Sequence, residues 1–151
     1  MSKNLLKISL ASDHAGFEYK EIIKEYLKSK YFAEVTDFGT YSTESMDYPD
    51  VAHILAFSVV NKSADIGIIL CGSGNGVCMT VNKYARIRAA LCWKKEIAVL
   101  ARQHNDANVL CLPARFVTIE EACEMVDVFL NTPFEGGRHQ KRVDKISDIK
   151  N

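Results

Sequence analysis

Ile66-Gly67-Ile68-Ile69-Leu70-Cys71-Gly72-Ser73-Gly74-Asn75-Gly76 is an apolar run of strand length that stops at a cysteine and opens onto three glycines alternating with serine and asparagine. A continuous apolar run bounded by turn residues reads as a strand buried on both faces, as in parallel sheets. Glycines let main-chain N–H groups converge without side-chain obstruction, so such a loop before a helix suits an anion or a developing oxyanion. The stretch therefore predicts a buried strand that delivers a thiol to a backbone cradle, with a nucleophile or base beside its electrostatic support.

Strands and helices alternate on both sides of it. Leu5 to Ala11 reads as a first strand, followed by Ser12-Asp13-His14-Ala15-Gly16 and a helix whose Tyr19, Ile22, Ile23, Tyr26 and Leu27 paint one face. Glu34 to Phe38 is a second strand. Pro49 suits the first turn of a second helix carrying Val51, Ile54, Leu55 and Val59 inward. Beyond the opening stretch come a short helix from Val77 to Lys83, a strand from Arg88 to Cys92, and a helix with Ile97, Leu100, Ala101 and His104 on one face. Val109 to Leu112 is a fifth strand. Thr118 and Glu121 form a capping box for a helix with Ala122, Met125, Val126 and Phe129 inward, which Pro133 ends. Gly136-Gly137 then separates a charged segment, Arg138 to Lys150. Five strands alternating with helices predict a doubly wound α/β fold, a parallel sheet covered on both sides, in a single domain over residues 1–151.

The composition narrows the function classes. Nineteen basic residues balance nineteen acidic ones, so no global field recruits nucleic acid or an acidic membrane. No run approaches the roughly 18 apolar residues of a membrane span, and no signal-peptide core follows Met1. Cys71, Cys78, Cys92, Cys111 and Cys123 form no CxxC pair and leave one thiol over in any intramolecular pairing, which points to reduced thiols and a cytoplasmic protein.

The glycine loop is not a nucleotide motif. A P-loop needs GxxxxGK[ST], and Lys83 comes too late; a dinucleotide fingerprint needs a third glycine where Val77 stands. What remains is Cys71 at a strand end near a helix N-terminus, a setting that favours thiolate, whereas the other four cysteines read as small buried apolar residues. Asp13 and His14 follow strand one, on the edge where open α/β sheets bind ligands, although Asp13 also fits a helix cap. Tyr48 precedes a helix and reads equally as a surface aromatic. His104 lies at the far end of its helix, where about ten residues at 1.5 Å each carry it roughly 15 Å from that edge, so it either meets the helix dipole or serves the site of a second subunit. Arg138 and Arg142, four apart, share a helix face and can clamp a phosphate, or stand as a solvated basic end. The spacing of Asp13, His14, His104 and Asp106 matches no metal motif.

Together, SDHAGF (12–17), DYP (47–49), CGSGNG (71–76), RQHNDAN (102–108) and GGRHQKRVDKI (136–146) resemble the type B ribose-5-phosphate isomerase family, in its order and spacing along nearly the full chain. Its cysteine-using subgroup is the match, since Val77 occupies the place where another subgroup carries a catalytic glutamate. The resemblance implies a Rossmann-like three-layer sandwich with a C-terminal helical extension, needing no metal or other cofactor and working as a homodimer or dimer of dimers with shared active sites. It implies interconversion of D-ribose 5-phosphate and D-ribulose 5-phosphate in the non-oxidative pentose phosphate pathway. Galactose-6-phosphate and allose-6-phosphate isomerases are similar, so a hexose phosphate is the rival substrate, and a non-catalytic phosphosugar-binding module is a rival of another class. By position, Cys71 is implied as the base between C1 and C2, Ser73 as the aid to exchange between O1 and O2, and the partner's His104 as the ring opener. The amides of Gly72, Gly74, Asn75 and Gly76 are implied to hold the enediolate, and Asp13, His14, Tyr48, Asn105, Arg115, Arg138 and Arg142 to bind the sugar or its phosphate.

Overall fold

The computed structural model describes residues 5–150; residues 1–4 and 151 lie outside the described residues. The elements are β1 (Lys7–Ser12), a 3-10 turn (His14–Gly16), α1 (Phe17–Tyr31), β2 (Glu34–Asp37), α2 (Tyr48–Val60), β3 (Ile66–Cys71) and α3 (Asn75–Val81). β4 (Ala89–Leu91), α4 (Lys95–Asn105), β5 (Val109–Pro113), α5 (Ile119–Asn131) and α6 (Arg138–Ile146) complete the chain. All strand pairs are parallel, in the order β2-β1-β3-β5-β4. β2 lies on one side of β1 and β3 on the other, so the connections diverge between β1 and β3. A crevice opens there at the carboxyl edge of the sheet.

Alternation along the strands builds two cores. Ile8, Leu10, Ile68, Leu70, Leu110 and Leu112 face the layer of α1, α4 and α5, while Ala11, Ile69, Cys71, Val109 and Cys111 face α2 and α3. This is the α/β sandwich the alternating pattern implies, with α6 appended at the end of α4. The capping box of α5 is present in both directions, Pro49 sits in the first turn of α2, and the four inward residues predicted for α5 are all buried.

Three side chains expected inward point out instead: Ile22, Ile54 and Leu100. Each neighbours in sequence the residue that does face the sheet, Ile23, Leu55 or Ala101. Consecutive helical residues are about 100° apart, so only one of two can take the buried stripe. The position on α1's buried stripe that hydrophobicity does not reveal is Lys20, which is fully buried. Its ammonium donates to Asp37 at 2.6 Å and Glu21 at 2.9 Å, and Lys24 also reaches Asp37 at 2.9 Å. Burial alone would raise the Asp37 carboxyl, but hydrogen bonds from Lys20, Lys24 and the Gly39 N–H outweigh it and hold the group below its usual range. This charge cluster ties the end of β2 to α1. The loop that leaves β2 is in turn bonded to β1 through Ser12 N–H to the Gly39 carbonyl (2.7 Å) and Thr40 N–H to the Ser12 carbonyl (2.7 Å). Among the described residues no helix is long and apolar enough to cross a membrane.

Candidate active site

Cys71 ends β3 and is 4% exposed. The Gly74 N–H donates to its sulfur at 3.1 Å, fixing the side chain toward the loop it opens onto. A cavity of about 460 Å³ covers this point, lined by Asp13, Tyr48, Cys71, Gly72, Ser73, Gly76, Arg115 and Phe116. It lies where the sheet order reverses, at the ends of β1 and β3, with Arg115 brought in by the loop after β5. That loop is held against the β3 loop by Ala114 N–H to the Cys71 carbonyl (2.9 Å) and Arg115 N–H to the Gly72 carbonyl (3.0 Å).

The Asp13 carboxylate accepts from the Gly16 N–H at 3.1 Å, capping the 3-10 turn as its position allowed, and the residue also lines the cavity. His14 Nδ1 accepts from the Met46 N–H at 3.2 Å. In the neutral ring the proton therefore sits on Nε2, leaving a donor for a ligand. Tyr48 is the first residue of α2 and lies over α3, so close that a Cβ on Gly76 would stand 2.4 Å from its ring. It is 39% exposed and stands on the cavity wall.

The loop amides are not all directed outward. Gly74 N–H donates to the Cys71 sulfur and Asn75 N–H to the Ser73 hydroxyl oxygen (3.2 Å). Two of the four amides that the resemblance implies for the enediolate, those of Gly74 and Asn75, thus engage side chains of the loop itself. The Ser73 hydroxyl, accepting from Asn75, keeps its own proton to donate.

Gly74 carries the loop's geometry. Its φ is +77°, and a Cβ there would lie 2.3 Å from the Leu91 side chain and 3.3 Å from the Pro113 nitrogen. Gly74→Ala therefore combines a left-handed non-glycine residue with a clash. It is expected to cost about 2–4 kcal/mol in urea unfolding and to displace the Cys71 sulfur from its amide donor. A variant as stable as the parent would show that the loop relaxes freely.

The remaining predicted residues form a second group. His104 lies in the last turn of α4, and its Nε2 is 3.7 Å from a Glu135 oxygen. Its ring is stacked on that of His139, with centroids 4.2 Å apart and planes 13° apart. Arg138 and Arg142 are exposed on α6, and Asn105 contributes its carbonyl to Arg88 Nε at 3.1 Å. None of these lines the Cys71 cavity. His104, Glu135 and His139 are the one group among the described residues whose donor atoms lie close enough to share a metal, within 4.8 Å of one another. The parallel rings send their lone pairs side by side rather than to a common point, so the geometry is that of a stack and not of a tetrahedral chelate.

The other thiols lie elsewhere. Cys92 and Cys111 are buried as expected, and burial pushes Cys92 up to about 12 and Cys111 well up too. Cys78 and Cys123 are only half-buried, a departure from the expected full burial. A hydrogen bond with Cys111 draws Cys78 down. Phe116, Glu135 and His139 were missed by the sequence reading. His139 stood inside a recognised motif with no role assigned, and Phe116 follows Arg115 directly.

The family model described as Ribose/Galactose Isomerase matches residues 8–146. The chain is 52% identical over 141 residues to a probable ribose-5-phosphate isomerase B of Mycoplasma genitalium, covering 92% of each chain. Its fold matches a crystal structure of a ribose 5-phosphate isomerase of Thermotoga maritima with a TM-score of 0.94 and 51% identity, over 97% of this chain and 100% of that one. It also matches ribose-5-phosphate isomerase B of Mycoplasma genitalium with bound ribulose-5-phosphate, with a TM-score of 0.91 and 48% identity over 96% and 97% of the two chains. A thiol at the end of β3, a glycine loop and an Asp-His pair at the end of β1 thus occur in a chain that, over nearly its whole length, belongs to the ribose/galactose isomerase family.

Proposed function

We propose that the chain interconverts D-ribose 5-phosphate and D-ribulose 5-phosphate through an enediolate. The observation that carries this reading is the place of Cys71 in a cavity whose polar side chains are Ser73, Asp13, Tyr48 and Arg115, in a chain similar to one seen with ribulose-5-phosphate bound. In the proposed reaction the Cys71 sulfur takes the C2 proton of the open-chain aldose. The electron pair moves to form the C1–C2 double bond and an oxyanion at O1. The Ser73 hydroxyl assists proton exchange between O2 and O1, and the thiol returns its proton to C1. Donors preorganised toward the developing oxyanion stabilise the transition state more than the ground state, and a phosphate anchor holds the reacting carbons in place. Since Gly74 and Asn75 spend their amides on the loop, the oxyanion falls to the loop's other amides and to Ser73.

Ring opening is assigned to His104 of a second copy, which takes a proton from the O1 hydroxyl while the ring oxygen gains one and the C1–O4 bond breaks. Arg138 and Arg142 accompany it as phosphate ligands. The distance along α4 supports a shared site, and so does the apolar surface that Ile54 and Phe57 on α2 and Met79 on α3 expose, 49%, 61% and 66% respectively. A homodimer acting as a single-domain cytoplasmic enzyme is the assembly this implies; five free thiols support the compartment.

Comparing turnover on ribose 5-phosphate, allose 6-phosphate and galactose 6-phosphate tests the substrate. The pentose is expected to give at least about tenfold higher kcat/KM. Preference for a hexose phosphate would overturn the pentose assignment.

A further inference from the structure

α6 is a charged helix with a single buried residue, His139, which is 5% exposed while Arg138, Gln140, Lys141 and Arg142 around it face solvent. A polar ring is withdrawn from water there, and the aromatic surface it meets is His104. The turn before α6 explains how the two rings meet. Gly136 and Gly137 have φ of +67° and +55°, yet a Cβ at either would touch nothing within 4 Å. These glycines are needed for backbone direction and not for space. Glu135, just before them, is anchored by its N–H to the Gln103 carbonyl at 3.1 Å, one residue from His104. The Gly-Gly turn therefore folds α6 back onto the last turn of α4 and lays His139 on His104.

We infer that His139 is a positioning residue for His104, its ring serving as the flat support that sets the plane of the His104 imidazole, while the Glu135 carboxylate selects which ring edge is presented to substrate. The inference rests on His104 acting in ring opening, as proposed above. A side chain on a helix end, half exposed, otherwise samples several rotamers, and a proton-transfer group out of place by about 1 Å can cost a hundredfold in rate. Stacking removes that freedom. The Glu135 carboxylate, 3.7 Å from Nε2 and beyond direct hydrogen-bond reach, places its negative charge beside that edge of the ring, so the Nδ1 edge is the one left for the sugar hydroxyl. The support must itself stay uncharged, since His104 carries a proton during its cycle. Burial holds the His139 ring below its ordinary value, and the charges of His104, Arg138 and Arg142 act in the same direction against the opposing Glu135.

The test uses the full-length enzyme and two readouts. Conversion of ribose 5-phosphate requires ring opening. Wash-in of deuterium from heavy water at C1 of ribulose 5-phosphate does not, because that ketose, with its O5 phosphorylated, is an open chain and asks only for Cys71. His139→Ala is expected to lower kcat on ribose 5-phosphate by about tenfold to a hundredfold, with KM and wash-in changed less than about threefold. His139→Phe, which keeps a flat ring without nitrogens, is expected to recover most of the loss. Three results would overturn the inference: a Phe variant as slow as Ala, a rise in KM with kcat unchanged, or wash-in falling in step with kcat. His104→Ala measured alongside separates the two layers of the reading. If it leaves ribose 5-phosphate conversion intact, the ring-opening assignment itself fails; if it slows conversion while His139→Ala does not, only the positioning role fails.

Discussion

Cys71→Ala is expected to lower isomerisation of ribose 5-phosphate by about a thousandfold or more, while a non-reacting sugar phosphate analogue still binds within about threefold. The asymmetry follows from the site. Cys71 lines the cavity and is the group proposed to carry the proton between adjacent carbons, whereas the proposed binding contacts, Arg115, Asp13 and Tyr48 of the same cavity and the α6 arginines of a second copy, are left intact. No neighbouring thiol can take over: Cys92 and Cys111 are buried and held protonated, and Cys78 points its sulfur at the Ala89 carbonyl, 3.6 Å away. Loss of one small buried side chain costs about 1 kcal/mol, so the variant remains folded and the rate measurement is interpretable. Steady-state rates with calorimetric titration of the analogue give both numbers. Activity near that of the parent would remove Cys71 from the role of base.

Mixing Cys71→Ala with His104→Ala subunits, each inactive alone, is expected to restore about a quarter of the parent activity once subunits have exchanged. The figure follows from two-fold symmetry: half the dimers in an equal mixture are hybrids, and each hybrid holds one site with both groups and one with neither. The place of His104 in the fold supports this expectation. α4 carries His104 to the edge of the sheet opposite the Cys71 cavity, and no described residue of its cluster lines that cavity. Mass spectrometry of isotopically labelled subunits establishes exchange. Exchange without recovered activity would rule out a histidine in trans.

Much of this was legible in the amino-acid order. Ile66 to Cys71 announced a doubly buried strand because its apolar run has no polar alternation, and Thr118 with Glu121 marked the start of α5 because the cap is purely local chemistry. The helix faces were read less well. Ile22 beside Ile23, and Leu100 beside Ala101, give two equally periodic stripes, and the choice between them depends on which lets the helix lie closest to the sheet. Lys20 was invisible for the same reason: its partner Asp37 is remote in sequence and becomes adjacent only when β2 pairs with β1.

The site divides along the same line. By itself the sequence determined the thiol, the glycine loop, the arginine pair four apart and the histidine at a helix end, because each is a local pattern of side chains and backbone freedom. Only the tertiary structure decided that Tyr48 belongs to the Cys71 cavity, that Gly74 and Asn75 turn their amides inward, and that His139 lies flat on His104. Those are relations between elements far apart in the chain, and they exist only once sheet order, helix direction and a Gly-Gly turn have brought the groups together.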